Sequence, residues 1–266
     1  MKYYKLSFRA KKDDFDRDAD VYLVEEYLGC LYKNGQIVDY DGMFVKDGFV
    51  YCHATLPEAD ALSRTNDNKY VAEGRDKVGQ IFEIGLEEPL GDDWHLDLEA
   101  CRCESPSRYM LDCGPCHDDS PITCCDCMSP IPLYRLPKIF GEEEFYTLRE
   151  FERECKAIGE LWLSGLNDKF TFKQRNDPSS QLAKKGRKIC KAFEKATGKP
   201  FYYFLSFDYW SFFYDKKDNC QEHPAPKECP SCGKNWEVKK GESVVGYRCD
   251  ACRLLSQKNR DLQAEE

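Results

Sequence analysis

The chain has 266 residues, 41 % of them hydrophobic and 33 % charged, with a formal charge of −9 and 16 cysteines. That is enough sequence for one large domain or two to three smaller ones, each able to bury a core beneath a well-solvated surface. No run of about 18 apolar residues exists, which excludes a membrane-spanning helix, and the opening MKYYKLSFRAKKDDFDRD lacks the apolar stretch of a secretory signal. A cytoplasmic, reducing setting is therefore expected, in which clustered cysteines are metal ligands more often than disulfides.

The charge is uneven. Residues 1–164 hold 19 Lys and Arg against 34 Asp and Glu, whereas residues 165–200 hold 10 against 3. The acidic part repels phosphate and only the 165–200 stretch attracts it, which argues against a protein that binds nucleic acid over its whole surface.

In chain order, the first hundred residues read as mixed α/β. Residues 2–9 alternate as a strand, and residues 20–32 carry apolar side chains at helical spacing. Residues 42–56 form one or two strands around the turn Lys46-Asp47-Gly48. A short helix over 68–80 and a strand over 81–86 complete a β-α-β-β-α-β order, the pattern of a ferredoxin-like domain over residues 1–100. Residues 101–127 differ in kind, with 7 cysteines among prolines and aspartates and little periodicity. Such a segment buries too little apolar area to order itself, so an external staple is expected. The prolines of 130–138 (PIPLYRLPK) forbid a helix there.

Residues 142–165 look helical, and 177–198 carry the strongest helix pattern in the chain. Asp177 is placed to cap its start, Pro178 suits the first turn, and Gly198 followed by Pro200 ends it. Leu182, Gly186, Ile189 and Phe193 mark its apolar face, and Lys184, Lys185, Arg187, Lys188, Lys191 and Lys195 fill much of the rest. Residues 201–207 (FYYFLSF) read as a strand that turns near Asp208 toward 210–214. The expected architecture is α+β: the ferredoxin-like domain, a Cys-rich metal-binding segment at 101–138, a helical and aromatic-strand region at 139–220, and a zinc ribbon with a polar tail at 221–266.

The ribbon rests on spacing. Cys229-x2-Cys232 and Cys249-x2-Cys252 are separated by 16 residues, and each pair supplies two thiolates from one tight turn. Residues 236–239 and 244–248 are placed to pair as the intervening hairpin. Four thiolates leave no position for water, so such a site is structural; in so small a ribbon the metal supplies most of the folding free energy, on the order of 10 kcal/mol. The central segment offers more thiols than one metal needs. Cys101-x-Cys103 with Cys124-x2-Cys127 would close a second four-thiolate site across 20 residues, giving two zinc ions in all. Cys113, Cys116 and Cys125 compete for it, His117 is an alternative ligand, and thiolate ligation also suits an iron–sulfur cluster. Cys30, Cys52, Cys155 and Cys190 read as small buried apolar residues, and Cys220 lies near the ribbon.

The basic helix admits two readings, a track for a phosphate backbone or the wet face of an amphipathic helix. The aromatic block at 201–214 admits base stacking or, better, core packing, because Phe201, Tyr203, Leu205 and Phe207 alternate onto one strand face. Catalytic signals are absent. The 4 histidines are scattered, and the chain contains no phosphate-cradling loop, nucleophile elbow or dinucleotide fingerprint.

Several of these stretches resemble a bacterial family of unknown function whose members are described as Zn-ribbon-containing, nucleic-acid-binding proteins. The likeness lies in PLYRLP (132–137), GRKIC (186–190), TGKPFYYFL (197–205), CPSCG (229–233), CDACRLLS (249–256) and the central Cys-x-Cys followed by Cys-x2-Cys. It implies zinc at the matching cysteines, and it implies that Cys113 and Cys116 are additions to the pattern, which favours the outer four as central ligands. A non-enzymatic binding protein is expected. The expected partner is nucleic acid, met by the ribbon, the basic helix and any exposed aromatics. The rival is a basic toxin or nuclease neutralised by an immunity or antitoxin-like protein, which the acidic first 164 residues suit; a hydrolase or nuclease with an open metal site is a third, weaker reading. No small-molecule substrate and no membrane are indicated.

Overall fold

A computed structural model of the chain describes residues 1–12, 16–92, 99–112, 114, 119–141, 143–207, 225–238 and 245–257. The expectations for 210–214, Cys113, Cys116, His117, Cys220 and the other histidines at 95 and 223 lie outside them. The chain divides into two compact units: Met1–Arg102 with Asp118–Ile122 and Ser129–Arg149, and Cys103–His117 with Thr123–Met128 and Glu150–Glu266. Among the described residues no helix is long and apolar enough to cross a membrane.

The first unit follows the order β1 (Lys2–Ala10), α1 (Arg17–Asn34), β2 (Asp39–Lys46), β3 (Phe49–Leu56), α2 (Lys69–Ile81) and β4 (Phe82–Asp92). The four strands form one antiparallel sheet in the order β2-β3-β1-β4. Alternation puts Tyr4, Leu6 and Phe8 of β1 and Val50, Cys52, Ala54 and Leu56 of β3 on one face. Against that face pack Val24, Tyr27, Leu28 and Leu31 of α1, at helical spacing, and Val71 and Val78 of α2. Local chemistry sets the helix ends. Asp16 accepts from the amides of Asp18 and Ala19, and Gly35, at φ 81°, sends its amide to the carbonyls of Leu31 and Tyr32. Asn68 caps α2 through the amide of Val71. Between the Pro-rich residues 130 and 138 the chain makes a 3-10 turn at Leu133–Arg135, as proline permits.

The second unit holds a sheet of very short strands: β5 (Tyr109–Leu111), β6 (Ile122–Cys124), β7 (Phe201–Phe204), β8 (Tyr247–Cys249) and β9 (Leu254–Ser256), in the order β6-β5-β7-β9-β8. β5, β7 and β9 run parallel, and β8 and β9 form an antiparallel pair. Three helices belong to this stretch of chain, α3 (Tyr146–Leu163), α4 (Asp168–Asn176) and α5 (Gln181–Thr197). α4 has no counterpart in the sequence reading, because its residues, DKFTFKQRN, carry no strong apolar stripe.

Helix α5 starts later than its sequence suggested. Ser180, not Asp177, is its cap, accepting from the amide of Ala183. Asp177 instead ends α4 and accepts from the side chain and the amide of Ser179, which hold its carboxyl below the usual range. Gly198 ends α5 at φ 69°. The face predicted from spacing is the buried one: Leu182, Gly186, Ile189 and Phe193, joined by Ala183 and Cys190. Burying Leu182, Ile189 and Phe193 contributes roughly 1.5–3 kcal/mol each. Phe193 stacks on Phe201 of β7 at 5.0 Å, and Phe201 stacks on Tyr109 of β5 at 4.6 Å. Phe201, Tyr203, Leu205 and Phe207 are all buried, so this part of the aromatic block is core and offers no ring to a base.

Gly186 marks the closest approach of α5 to the sheet. A methyl group there would stand 2.6 Å from a ring carbon of Tyr203 and 2.9 Å from the ring of Phe151. Helix propensity alone favours alanine over glycine by about 1 kcal/mol, but pushing two packed rings apart costs about 1–3 kcal/mol. Gly186→Ala should therefore lower stability, and a rise in the denaturation midpoint would contradict this packing.

Candidate metal centres

Two groups of four cysteines converge. Cys101, Cys103, Cys124 and Cys127 form one, and Cys229, Cys232, Cys249 and Cys252 the other; within each group the sulfurs all lie within 4.8 Å of one another. A tetrahedral ion with metal–sulfur bonds of about 2.3 Å needs its sulfurs about 3.8 Å apart, and the Sγ atoms of Cys232 and Cys249 are 3.7 Å apart. Eight of the eight cysteines singled out as ligands by spacing are in these groups. The donor set suits a thiophilic ion, and with four thiolates each site is closed to water.

The C-terminal group is built from two turns. In the first, the amide of Gly233 donates to the carbonyl of Cys229 at 2.8 Å, and the amide of Cys229 donates to the carbonyl of Lys234 at 2.8 Å. Gly233 has φ 69°, a conformation glycine adopts without steric cost. Amides aimed into the turn prepare the sulfurs: the Lys234 amide brings Cys232 down to about 7, whereas burial pushes Cys249 up to about 12. The amide of Val238 donates to Gly246 and that of Arg248 to Trp236, pairing the two stretches between the turns. Trp236 is buried there, its Nε1 donating to the carbonyl of Pro226 at 2.8 Å.

The second turn, Cys249-Asp-Ala-Cys252, closes between β8 and β9. The residue after its last cysteine, Arg253, takes φ 53°, the position that Gly233 occupies in the first turn. A side chain there is strained, and Arg253 has compensating partners. Its guanidinium meets the Glu194 carboxylate of α5 through two bonds, at 2.8 and 2.9 Å, and donates to the carbonyl of Asp250 at 2.6 Å. The same bonds hold Glu194 below the usual carboxylate range. Asp250 accepts from the Tyr202 hydroxyl at 2.5 Å and lies 3.2 Å from Arg248.

The central group repeats the turn. Met128, after Cys127, has φ 59°, and its amide donates to the carbonyl of Cys124 at 2.8 Å, the bond that Gly233 makes to Cys229. Asp126 inside the turn accepts from the amide and hydroxyl of Ser107, which hold its carboxyl low. Cys101 is fixed through its backbone: its amide donates to Pro130 and its carbonyl accepts from Arg135 at 2.7 Å. Cys125 stands apart. It packs against the cluster of Met110, Tyr202, Val245 and Leu255, and burial pushes its thiol up to about 12. Cys52, Cys155 and Cys190 are buried and Cys30 half-buried, in keeping with the apolar role read from the sequence.

The cationic residues of α5 separate into two sets. Lys184, Lys188, Lys191 and Lys195 are exposed. Lys185 pairs with Glu154 at 2.6 Å, and Arg187 donates to the carbonyl of Cys252 at 3.4 Å and to that of Pro178 at 3.5 Å. Lys185 and Arg187 are therefore engaged in holding the helix to its surroundings.

Comparison with known proteins places the chain in a lineage. A Haemophilus influenzae protein is 31 % identical over 207 residues, covering 75 % of this chain and 74 % of its own length. A second protein of the same organism is 30 % identical over 197 residues, covering 73 % of this chain and 91 % of itself. The chain belongs to this bacterial family. Both relatives are described as uncharacterized proteins. Residues 103–206 match a domain of unknown function (DUF2310), and residues 217–261 match another (DUF8594). The two matches take in seven of the eight clustered cysteines, all but Cys101. No solved structure matches the chain.

Arg253 offers a test of the turn geometry. Arg253→Ala and Arg253→Gly both lose the Glu194 pair, but only glycine relieves the left-handed backbone. Arg253→Gly should be the more stable by about 1 kcal/mol, and equal stabilities in denaturant would contradict the strain.

Proposed function

We propose that this is a non-enzymatic, zinc-binding protein that associates with nucleic acid, its two zinc ions being structural. The all-thiolate donor sets support zinc in closed sites, and the turn–hairpin–turn arrangement of residues 229–252 supports a zinc ribbon. The strand order β2-β3-β1-β4 with two helices on one face supports a ferredoxin-like first domain. Zinc binding by the two groups would supply folding free energy to a sheet that has little of its own.

The observation that carries the nucleic-acid reading is the spacing of the exposed lysines on α5. Lys184, Lys188, Lys191 and Lys195 recur at intervals of four, three and four, so they form one continuous stripe along the helix. A stripe of this kind tracks a phosphate backbone, while the opposite face of the same helix is buried. In a chain that is otherwise acidic, affinity would be modest and steeply dependent on salt. A second reading, an immunity or antitoxin-like factor that neutralises a basic protein, is favoured by the 34 acidic residues against 19 basic ones in residues 1–164.

Two measurements test the proposal. Metal analysis of the purified protein should return two zinc ions per chain, and Cys249→Ser should return one; an unchanged content in the variant would remove the C-terminal site. Reversing Lys184, Lys188 and Lys191 to Glu should weaken binding to a labelled oligonucleotide and flatten its salt dependence, each lost phosphate contact removing roughly 0.7–0.9 from the log–log slope. Identical affinity and slope in that variant would sink the helix as the contact.

A further inference from the structure

Helices α1 and α2 pack on one face of the first sheet, and among the described residues of the first unit no helix lies on the other. Side chains of β1 and β3 that alternate with the buried set point there, and five of its residues carry rings. Phe49 stacks on Tyr51 at 5.4 Å with an interplanar angle of 6°, Phe44 lies 5.2 Å from Tyr51, and Tyr3 stacks on His53 at 5.3 Å. Phe44 is also 6.5 Å from His53, so the five rings form one connected row across β2, β3 and β1. Phe44 is 43 % exposed and the others are half-buried.

The charge on this face runs against its surroundings. Residues 1–102 hold 22 Asp and Glu against 13 Lys and Arg, yet β1 (KYYKLSFRA) and β3 (FVYCHATL) contain no acidic residue. Cross-strand register places Lys5 opposite His53 and Arg9 opposite Phe49, with Lys46 of β2 on the other side of Phe49. The Lys5 ammonium lies 4.1 Å from the centre of the Tyr51 ring. Among the described residues, the acids that share the face, Asp39, Asp41 and Glu83, are on the edge strands. Asp41 accepts from the Tyr3 hydroxyl at 2.7 Å, and Glu83 is 3.9 Å from Arg9.

We infer that this face binds single-stranded RNA, with bases stacking on Tyr51, Phe49 and His53 and the backbone passing Lys5, Arg9 and Lys46. Rings interleaved with cations on the two central strands fit a ligand that alternates flat bases with anions, and every base has a face to stack. RNA rather than DNA follows from the β2 margin, where the Asp39 and Asp41 carboxylates repel phosphate but accept from a sugar 2′-hydroxyl. The inference rests on the nucleic-acid reading above for the class of ligand only; it uses a different surface.

The zinc-loaded full chain would be titrated into a fluorescein-labelled uridine 12-mer and its deoxy counterpart, with anisotropy as readout. Tyr51→Ala should raise Kd for the RNA about tenfold or more, and the deoxy oligomer should bind more weakly than the RNA. With 4-thiouridine in the RNA, ultraviolet cross-links on the unmodified protein should map to residues 49–53, a readout that does not depend on how well the variant folds. A Kd for Tyr51→Ala within twofold of the parent, cross-links confined to other segments, or equal affinity for the deoxy oligomer would each overturn the assignment. The Lys184, Lys188 and Lys191 to Glu variant separates the two surfaces. Binding lost there but kept in Tyr51→Ala leaves the helix as the contact and removes the sheet face. Binding lost in Tyr51→Ala but kept in the helix variant does the reverse.

Discussion

The second unit depends on the convergence of cysteine sulfurs. Four of its five strands are three residues long and β7 has four, too short for strand pairing alone to hold them. Both sulfur groups sit at the ends of such strands. Cys124 is the last residue of β6, Cys249 is the last of β8, and the turn that ends with Cys252 leads into β9. Each turn reverses the chain within a few residues, so closing the sulfurs on one centre also fixes where the attached strand begins. A small sheet can then persist with little propensity of its own.

Around that closure the structure adds contacts that fix the turns in place. The aspartates inside two of them, Asp126 and Asp250, are fastened by Ser107 and Tyr202. The left-handed residue after each pair differs, glycine in one and Met128 and Arg253 in the others, which shows that the backbone requirement is imposed by the turn and met by whatever surroundings allow. For Arg253 the surrounding is α5. The helix supplies Glu194 to the guanidinium and Arg187 to the carbonyl of Cys252. Helix α5 thus has three sides: an apolar one on β7, a polar one against the C-terminal cysteine turn, and the lysine stripe in solvent.

The first unit solves a different problem. It buries one sheet face under two helices. Its opposite face keeps its rings partly in solvent, where they contact one another and the side chain of Lys5. Exposed rings on the central strands of a sheet cost stability that a buried position would return, which is the physical reason to look for a ligand there.

The sequence by itself determined what is local. C-x2-C spacing puts two sulfurs on one turn, and helical spacing in α5 picks out its buried face; both hold because a few consecutive residues contain all the geometry they need. The order of elements in the first hundred residues was legible for the same reason, since alternation and helical periodicity change visibly along it. Tertiary structure alone decided that Cys125 turns into the core while its neighbour Cys124 joins the sulfur group, and that Ser180 rather than Asp177 caps α5. It also decided that Lys185 and Arg187 bind inward while the lysines beside them face water. Each of these is a choice between chemically similar neighbours, and a choice of that kind is made by partners distant in the chain, which no local pattern encodes.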